Sequence, residues 1–83
     1  MNLYKLTQYV NNNYDTYDSA VVAAMDDNSA KRFHPSGSPT DIVPVKGEEP
    51  SYYDWASLED IQVEFIGTTE LPAGVVIASF NAG

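Results

Sequence analysis

Two short groupings set aromatic rings beside carboxylates: Tyr14-Asp15-Thr16-Tyr17-Asp18 and Tyr52-Tyr53-Asp54-Trp55. Tyr and Trp bring a large contact area at little entropic cost and carry a polar tip, and flanking carboxylates select Lys or Arg on whatever they meet. The chemistry these groupings suit is recognition of a protein surface. Turn formation accounts for Asp15 and Asp18, whose side chains can hydrogen-bond the local backbone, but not for two tyrosines beside them. Trp55 has the alternative of completing a small core.

Other reactive types are sparse. His34 is the sole histidine, and its place just before Pro35 at the end of a short helical stretch reads as a cap for helix carbonyls rather than as a general base. The adjacent acids Asp26-Asp27, Glu48-Glu49 and Glu59-Asp60 point to opposite faces in a strand and diverge on a helix, so none forms a ready-made carboxylate dyad. The run DDNSAKRF lacks the alternating oxygen ligands, central glycine and closing glutamate of a calcium loop. Phosphate-cradling glycine loops and serine-nucleophile motifs are missing as well. With no cysteine, disulfides, thiolate zinc sites and cysteine nucleophiles are excluded. The expectation is therefore no catalytic residue, no metal and no cofactor.

Charge is the most informative property. Twelve Asp and Glu oppose four Lys and Arg, for a net charge of -8. Residues 1–46 hold all four bases (Lys5, Lys31, Arg32 and Lys46) and five acids. Residues 47–83 hold Glu48, Glu49, Asp54, Glu59, Asp60, Glu64 and Glu70 with no base. Such a one-signed field repels nucleic acid and anionic membrane and steers the chain toward basic surfaces, though it also serves solubility. Along an extended chain, acids two residues apart stand roughly 7 Å from each other, close to the spacing of successive phosphates on one nucleic-acid strand. An acidic rim fed by Asp54, Glu59, Asp60, Glu64 and Glu70 would suit a channel built for DNA or RNA.

The elements that must position these residues follow from the hydrophobic pattern. At 83 residues the chain supports one domain, which buries only about 60–65% of its unfolded surface. LYKLTQYV (3–10) reads as a strand with Tyr4, Leu6 and Val10 on one face, and SAVVAAM (19–25) as a central strand paired with it in an antiparallel hairpin. Asp26-Asp27 start a short helix with Ala30 and Phe33 on one side, and Pro35 and Gly37 end it. Residues 38–54, rich in proline and glycine, read as a mobile loop partly ordered by Ile42, Val43 and Val45. Ser57 to Asp60 form a capping turn, Ile61, Val63 and Phe65 alternate as a half-buried strand that ends at Gly67, and VVIASF (75–80) is the last strand. The expected fold is α+β: a small antiparallel sheet of about four strands in ββαββ order, with one short helix packed on one face. MNLYKLTQYV has neither the basic start nor the apolar core of a signal peptide, and no run approaches the roughly 20 apolar residues of a membrane span, so no membrane contact is expected and the setting is either intracellular or a particle that carries the chain.

The segments YDTYDSAVVAAMDDNSAKRFHPSG, WASLEDIQVEFIG and GVVIASFNAG together resemble a family of small uncharacterised bacteriophage proteins. That resemblance covers most of the chain outside the 38–54 loop and implies phage origin, hence the cytoplasm of an infected bacterium. A second likeness is to phage anti-CRISPR proteins, in the layout of Tyr14-Asp15, the apolar stretch Ala20 to Ala24 and the acidic helix start Asp26-Asp27. It implies an inhibitor that binds a CRISPR effector at its nuclease or nucleic-acid site. The expected partner is a host protein with a basic surface, met by Tyr14, Asp15, Tyr17, Asp18, Asp54, Glu59, Asp60 and Glu64. The alternative is a phage structural or assembly protein that forms a homo-oligomer through exposed strands.

Overall fold

The period-two alternation at the N-terminus becomes β1 (Asn2–Thr7), which closes an antiparallel hairpin with β2 (Thr16–Ala24). The structure, a computed structural model, describes residues 1–51 and 53–81. After β2 come α1 (Asp27–Lys31), a 3₁₀ turn at Leu58–Asp60, β3 (Gln62–Thr68) and β4 (Gly74–Asn81). β3 pairs antiparallel with the free side of β1, and β4 with the free side of β2, so the sheet runs β3-β1-β2-β4. The α+β class and the ββαββ order match the expectation.

One face of the sheet is covered. Tyr4 and Leu6 from β1 and Ala20, Val22 and Ala24 from β2 pack under Ala30 of α1 and under Val43, Trp55, Ala56 and Ile61. Burying a Leu or Val side chain contributes about 1.5–3 kcal/mol, so Leu6 and Val22, both fully enclosed, matter in so small a core. Trp55 is 1% exposed and is the largest side chain in the interior. Its place in the aromatic–acidic grouping thus resolves in favour of the core.

The helix starts where its sequence dictates. The Asp26 side chain accepts from the Ser29 N–H at 2.8 Å, which caps a free amide and holds the Asp26 carboxyl below its usual range. Arg32 ends it, and Pro35 forces the preceding residue out of helical backbone. Consequently His34 does not cap helix carbonyls as its position suggests, but turns inward and is buried.

Three further readings of local structure are corrected. β1 stops at Thr7, and Val10 is 59% exposed, because Gln8 takes the inward position that Val10 was expected to share with Leu6. β2 starts at Thr16 instead of Ser19, so Tyr17 and Asp18 belong to the strand. In the 38–54 stretch Val43 is buried whereas Ile42 and Val45 are exposed. No helix or strand forms there among the described residues. Register breaks leave Asp18, Ile66 and Val76 without a partner residue, so each is the extra residue of a β-bulge. No helix of the described residues is long and apolar enough to cross a membrane.

Candidate protein-interaction surface

The β1–β2 connection is built around two buried amides. Gln8 is 1% exposed. Its Nε2 donates to the Asn11 carbonyl at 2.7 Å and to the Tyr17 carbonyl at 2.9 Å, while its Oε1 accepts from the N–H groups of Val10 and Asn11 at 2.9 and 2.8 Å. Asn11 extends the lattice, its Nδ2 donating to the carbonyls of Trp55 at 3.0 Å and Tyr53 at 3.3 Å. Thr16 Oγ1 donates to the Asn13 carbonyl, and the Asp15 N–H to the Asn81 carbonyl at the end of β4. Every potential of the Gln8 carboxamide is thus met inside the protein, which ties the loop to the core through groups that are costly to leave unpaired.

On this frame the loop presents rings outward. Tyr9 is 68% and Tyr14 75% exposed, with Val10 between them in sequence order also exposed. A cleft of about 280 Å³ separates Val10, Asn13 and Tyr14 from Ser51 and Tyr53. Asp15 carries its exposed carboxylate on left-handed backbone, φ 62°, a conformation Asp tolerates better than most residues. Tyr17 behaves in the opposite way to Tyr14. It packs edge-on against Phe80, ring centroids 4.8 Å apart, and against His34 at 5.9 Å. Burial, with the Asp54 and Asp41 carboxylates, pushes its phenol pKa up.

The remaining candidates fall in separate places. Asp54 is half-buried: its Oδ1 lies 2.9 Å from His34 Nε2, and its carbonyl accepts from the Tyr17 N–H at 2.7 Å. Because His34 Nδ1 accepts from the Ser36 N–H at 3.1 Å, the neutral ring carries its proton on Nε2 and donates it to Asp54. Glu59 and Asp60 brace the long loop, Glu59 by accepting from the Lys46 N–H at 2.6 Å and Asp60 by accepting from Lys46 Nζ at 3.4 Å, while Ser57 Oγ donates to Asp60 at 3.0 Å within the turn itself. Glu64 sits on the other face of the sheet, opposite Lys5. Asp18 is exposed at its bulge, and Tyr52 lies outside the described residues.

The structure therefore brings Tyr14 to one cleft with Val10 and Tyr53, and joins Tyr17 to Asp54 around His34. Of the expected acidic rim, Glu64 opposite Lys5 stands apart from Asp54, which is held on His34, and from Glu59 and Asp60, which are held on Lys46. Neither Tyr9 nor Gln8 stands out in the sequence, because both fall inside the strand-like stretch 3–10. The available signal was Gln8 itself, a polar residue at the inward position after Tyr4 and Leu6. Among the described residues no group of three or more His, Asp or Glu side chains is arranged to hold a metal ion. Comparison of the chain with protein-family models, curated proteins and solved structures returns no match.

Proposed function

We propose that this chain is a binding protein that presents the braced aromatic–acidic loop, Tyr9 to Asp15, to a basic surface of a partner protein. The observation that carries this reading is the pairing of exposed tyrosines with a loop held from beneath by Gln8 and Asn11. A loop fixed in this way loses little entropy on binding, and exposed rings on a rigid base are the usual anchors of an interface. The net charge of -8 selects against nucleic acid and for a basic site. The resemblance to phage proteins and anti-CRISPR inhibitors narrows the proposed partner to a nucleic-acid-binding defence protein of the host, a CRISPR effector among them, acted on in the infected cell.

The test is capture from bacterial lysate with tagged wild-type chain and with Tyr14→Ala and Asp15→Asn, at low and moderate salt. Wild type is expected to retain a nucleic-acid-binding protein whose capture weakens with salt and with either substitution. Recovery of no such protein at either salt sinks the reading.

A second reading rests on its own observation. β4 is an edge strand with no charge and no proline between Gly74 and Asn81, and Val76, Ile77 and Phe80 are exposed on it. Natural edges are normally blunted by charge or proline. On a chain this acidic, an uncharged edge is where two copies meet with least repulsion, which supports self-association as in a structural or assembly protein.

A further inference from the structure

His34 is buried and stands as a shared wall between two hollows. One, of about 360 Å³, lies toward Asp54 and Pro44, and the other, of about 320 Å³, toward Arg32, Gly37 and Ala73. Asp41 lines both of them with it. The ring is held at each nitrogen. Nε2–H donates to Asp54 Oδ1 at 2.9 Å, and Nδ1 accepts from the Ser36 N–H at 3.1 Å. The second bond needs an Nδ1 without a proton, so it exists only while the imidazole is neutral.

A carboxylate is placed beside that same nitrogen. Asp41 Oδ2 lies 4.0 Å from His34 Nδ1, beyond hydrogen-bond reach, and is engaged there by the Ser36 hydroxyl, which donates to it at 2.6 Å. The chain between His34 and Asp41 is two successive turns. The Gly37 N–H closes the first on the His34 carbonyl at 3.0 Å, and the Asp41 N–H closes the second on the Ser38 carbonyl at 3.2 Å. Gly37, at φ 78°, is the joint between them. Each turn keeps its own backbone bond, so the second can pivot on the first without losing either.

We infer that residues 34–41 form a pH-operated latch: protonated His34 releases the Ser36 N–H and takes Asp41 as a second carboxylate partner, which moves the wall between the two hollows. An imidazolium donates from both nitrogens, so Nδ1–H and the Ser36 N–H would confront each other as two donors. A shift of about 1 Å brings Asp41 Oδ2 within a charge-assisted bond of Nδ1–H instead. The other side of the ring stays fixed. Tyr17 of β2 packs edge-on against it at 5.9 Å, and the Asp54 carbonyl holds the Tyr17 N–H at 2.7 Å, so the movement falls on the turns. Asp54 and Asp41 favour the charged ring, whereas exposed Arg32 at the end of α1 opposes it. Tyr17 and Tyr53 present phenols, and Ala73, Gly74 and Val75 bring no charge. Histidine is the side chain whose charge ordinarily changes between about pH 5 and 8, which makes it the group suited to such a device. The latch is independent of what the Tyr9 to Asp15 loop binds.

The test is an acid titration of the ¹⁵N-labelled chain, in which the ring nitrogen signals belong to one residue because His34 is the sole histidine. With the ring neutral, Nδ1 is expected at the shift of an unprotonated nitrogen, with a coupling through the hydrogen bond to the Ser36 amide nitrogen. As the ring is protonated, that coupling should vanish and the Ser36 amide proton should move upfield with the midpoint of the ring. Exchange of the same amide, corrected for the intrinsic effect of pH, should quicken about threefold or more. Asp41→Asn, at an exposed carboxylate, should leave the fold in place and move the ring midpoint to lower pH, because the charge that receives Nδ1–H is gone. A neutral ring protonated on Nδ1, a Ser36 amide that does not follow the ring, or an unchanged ring midpoint in Asp41→Asn overturns the latch. Unfolding of the chain in acid before the ring titrates overturns it as well.

Discussion

Gln8 and Asn11 grip each other through both ends of one carboxamide: Gln8 Nε2 donates to the Asn11 carbonyl at 2.7 Å while Gln8 Oε1 accepts the Asn11 N–H at 2.8 Å. Gln8→Leu keeps much of the volume but strands the carbonyls of Asn11 and Tyr17 together with two N–H groups. It is expected to cost about 2–3 kcal/mol, seen as a lower urea midpoint with little change in slope. The amides of residues 10–17 should lose hydrogen-exchange protection first.

Asp15 separates backbone from charge. On left-handed backbone Asn is at least as well accommodated as Asp, so Asp15→Asn should stay within about 0.5 kcal/mol of wild type. Asp15→Val puts a β-branched residue at φ 62° and should cost about 1–2 kcal/mol in thermal or urea unfolding. Weaker capture of a basic partner by Asp15→Asn is then an effect of charge rather than of folding.

Tyr17 predicts an alkaline limb of the stability curve. Its folded pKa is raised by burial and by the Asp54 and Asp41 carboxylates, so the unfolded state releases the phenolic proton first. The contribution is therefore complete below the unfolded value of about 10 and falls away as pH rises through the folded one. Denaturant titrations above about pH 10 should show a steeper loss in wild type than in Tyr17→Phe.

Asp26 predicts the acid counterpart. Its folded pKa is lowered by the Ser29 N–H, so the cap contributes above the unfolded value of about 3.9 and is lost as pH falls through the folded one. Asp26→Ala should flatten the acid limb of the same curve, read by helical circular dichroism and by urea midpoints.

The β4 edge predicts what a single charge does to self-association. Ile77 is 65% exposed, so Ile77→Lys should change stability by no more than about 0.5 kcal/mol. If copies pair along β4, sedimentation equilibrium should show a wild-type dimer that persists in high salt and an Ile77→Lys monomer. A wild-type monomer at all concentrations removes the self-association reading.

Local pattern carried much of the fold. The alternation of Ile61, Val63 and Phe65, the apolar run 75–80 and the Asp26 cap each lead to an element observed, since each acts over a few residues, although β3 runs through Gly67 to Thr68 with Phe65 exposed and the helix ends at Lys31, before Pro35. Two positions depart from local pattern. Val10 is exposed where an inward place is expected because the chain turns after Gln8, whose buried amide satisfies four backbone groups at once. His34 resembles a helix cap in the sequence because its partner Asp54 is 20 residues away in the chain.

The candidate site was less legible for the same reason. Tyr14 and Tyr17 look alike in the sequence, three residues apart and each followed by aspartate, yet one is 75% exposed and the other packs on Phe80 from the far strand. Composition and local propensity by themselves determined a small acidic α+β chain with strand-forming ends and a helix start at Asp26, because charge and short-range pattern need no partner. Which rings face out and which carboxylate is engaged by His34 were decided only when β4 closed beside β2 and residues 53–55 were laid over the sheet, because burial depends on what the rest of the chain brings to each position.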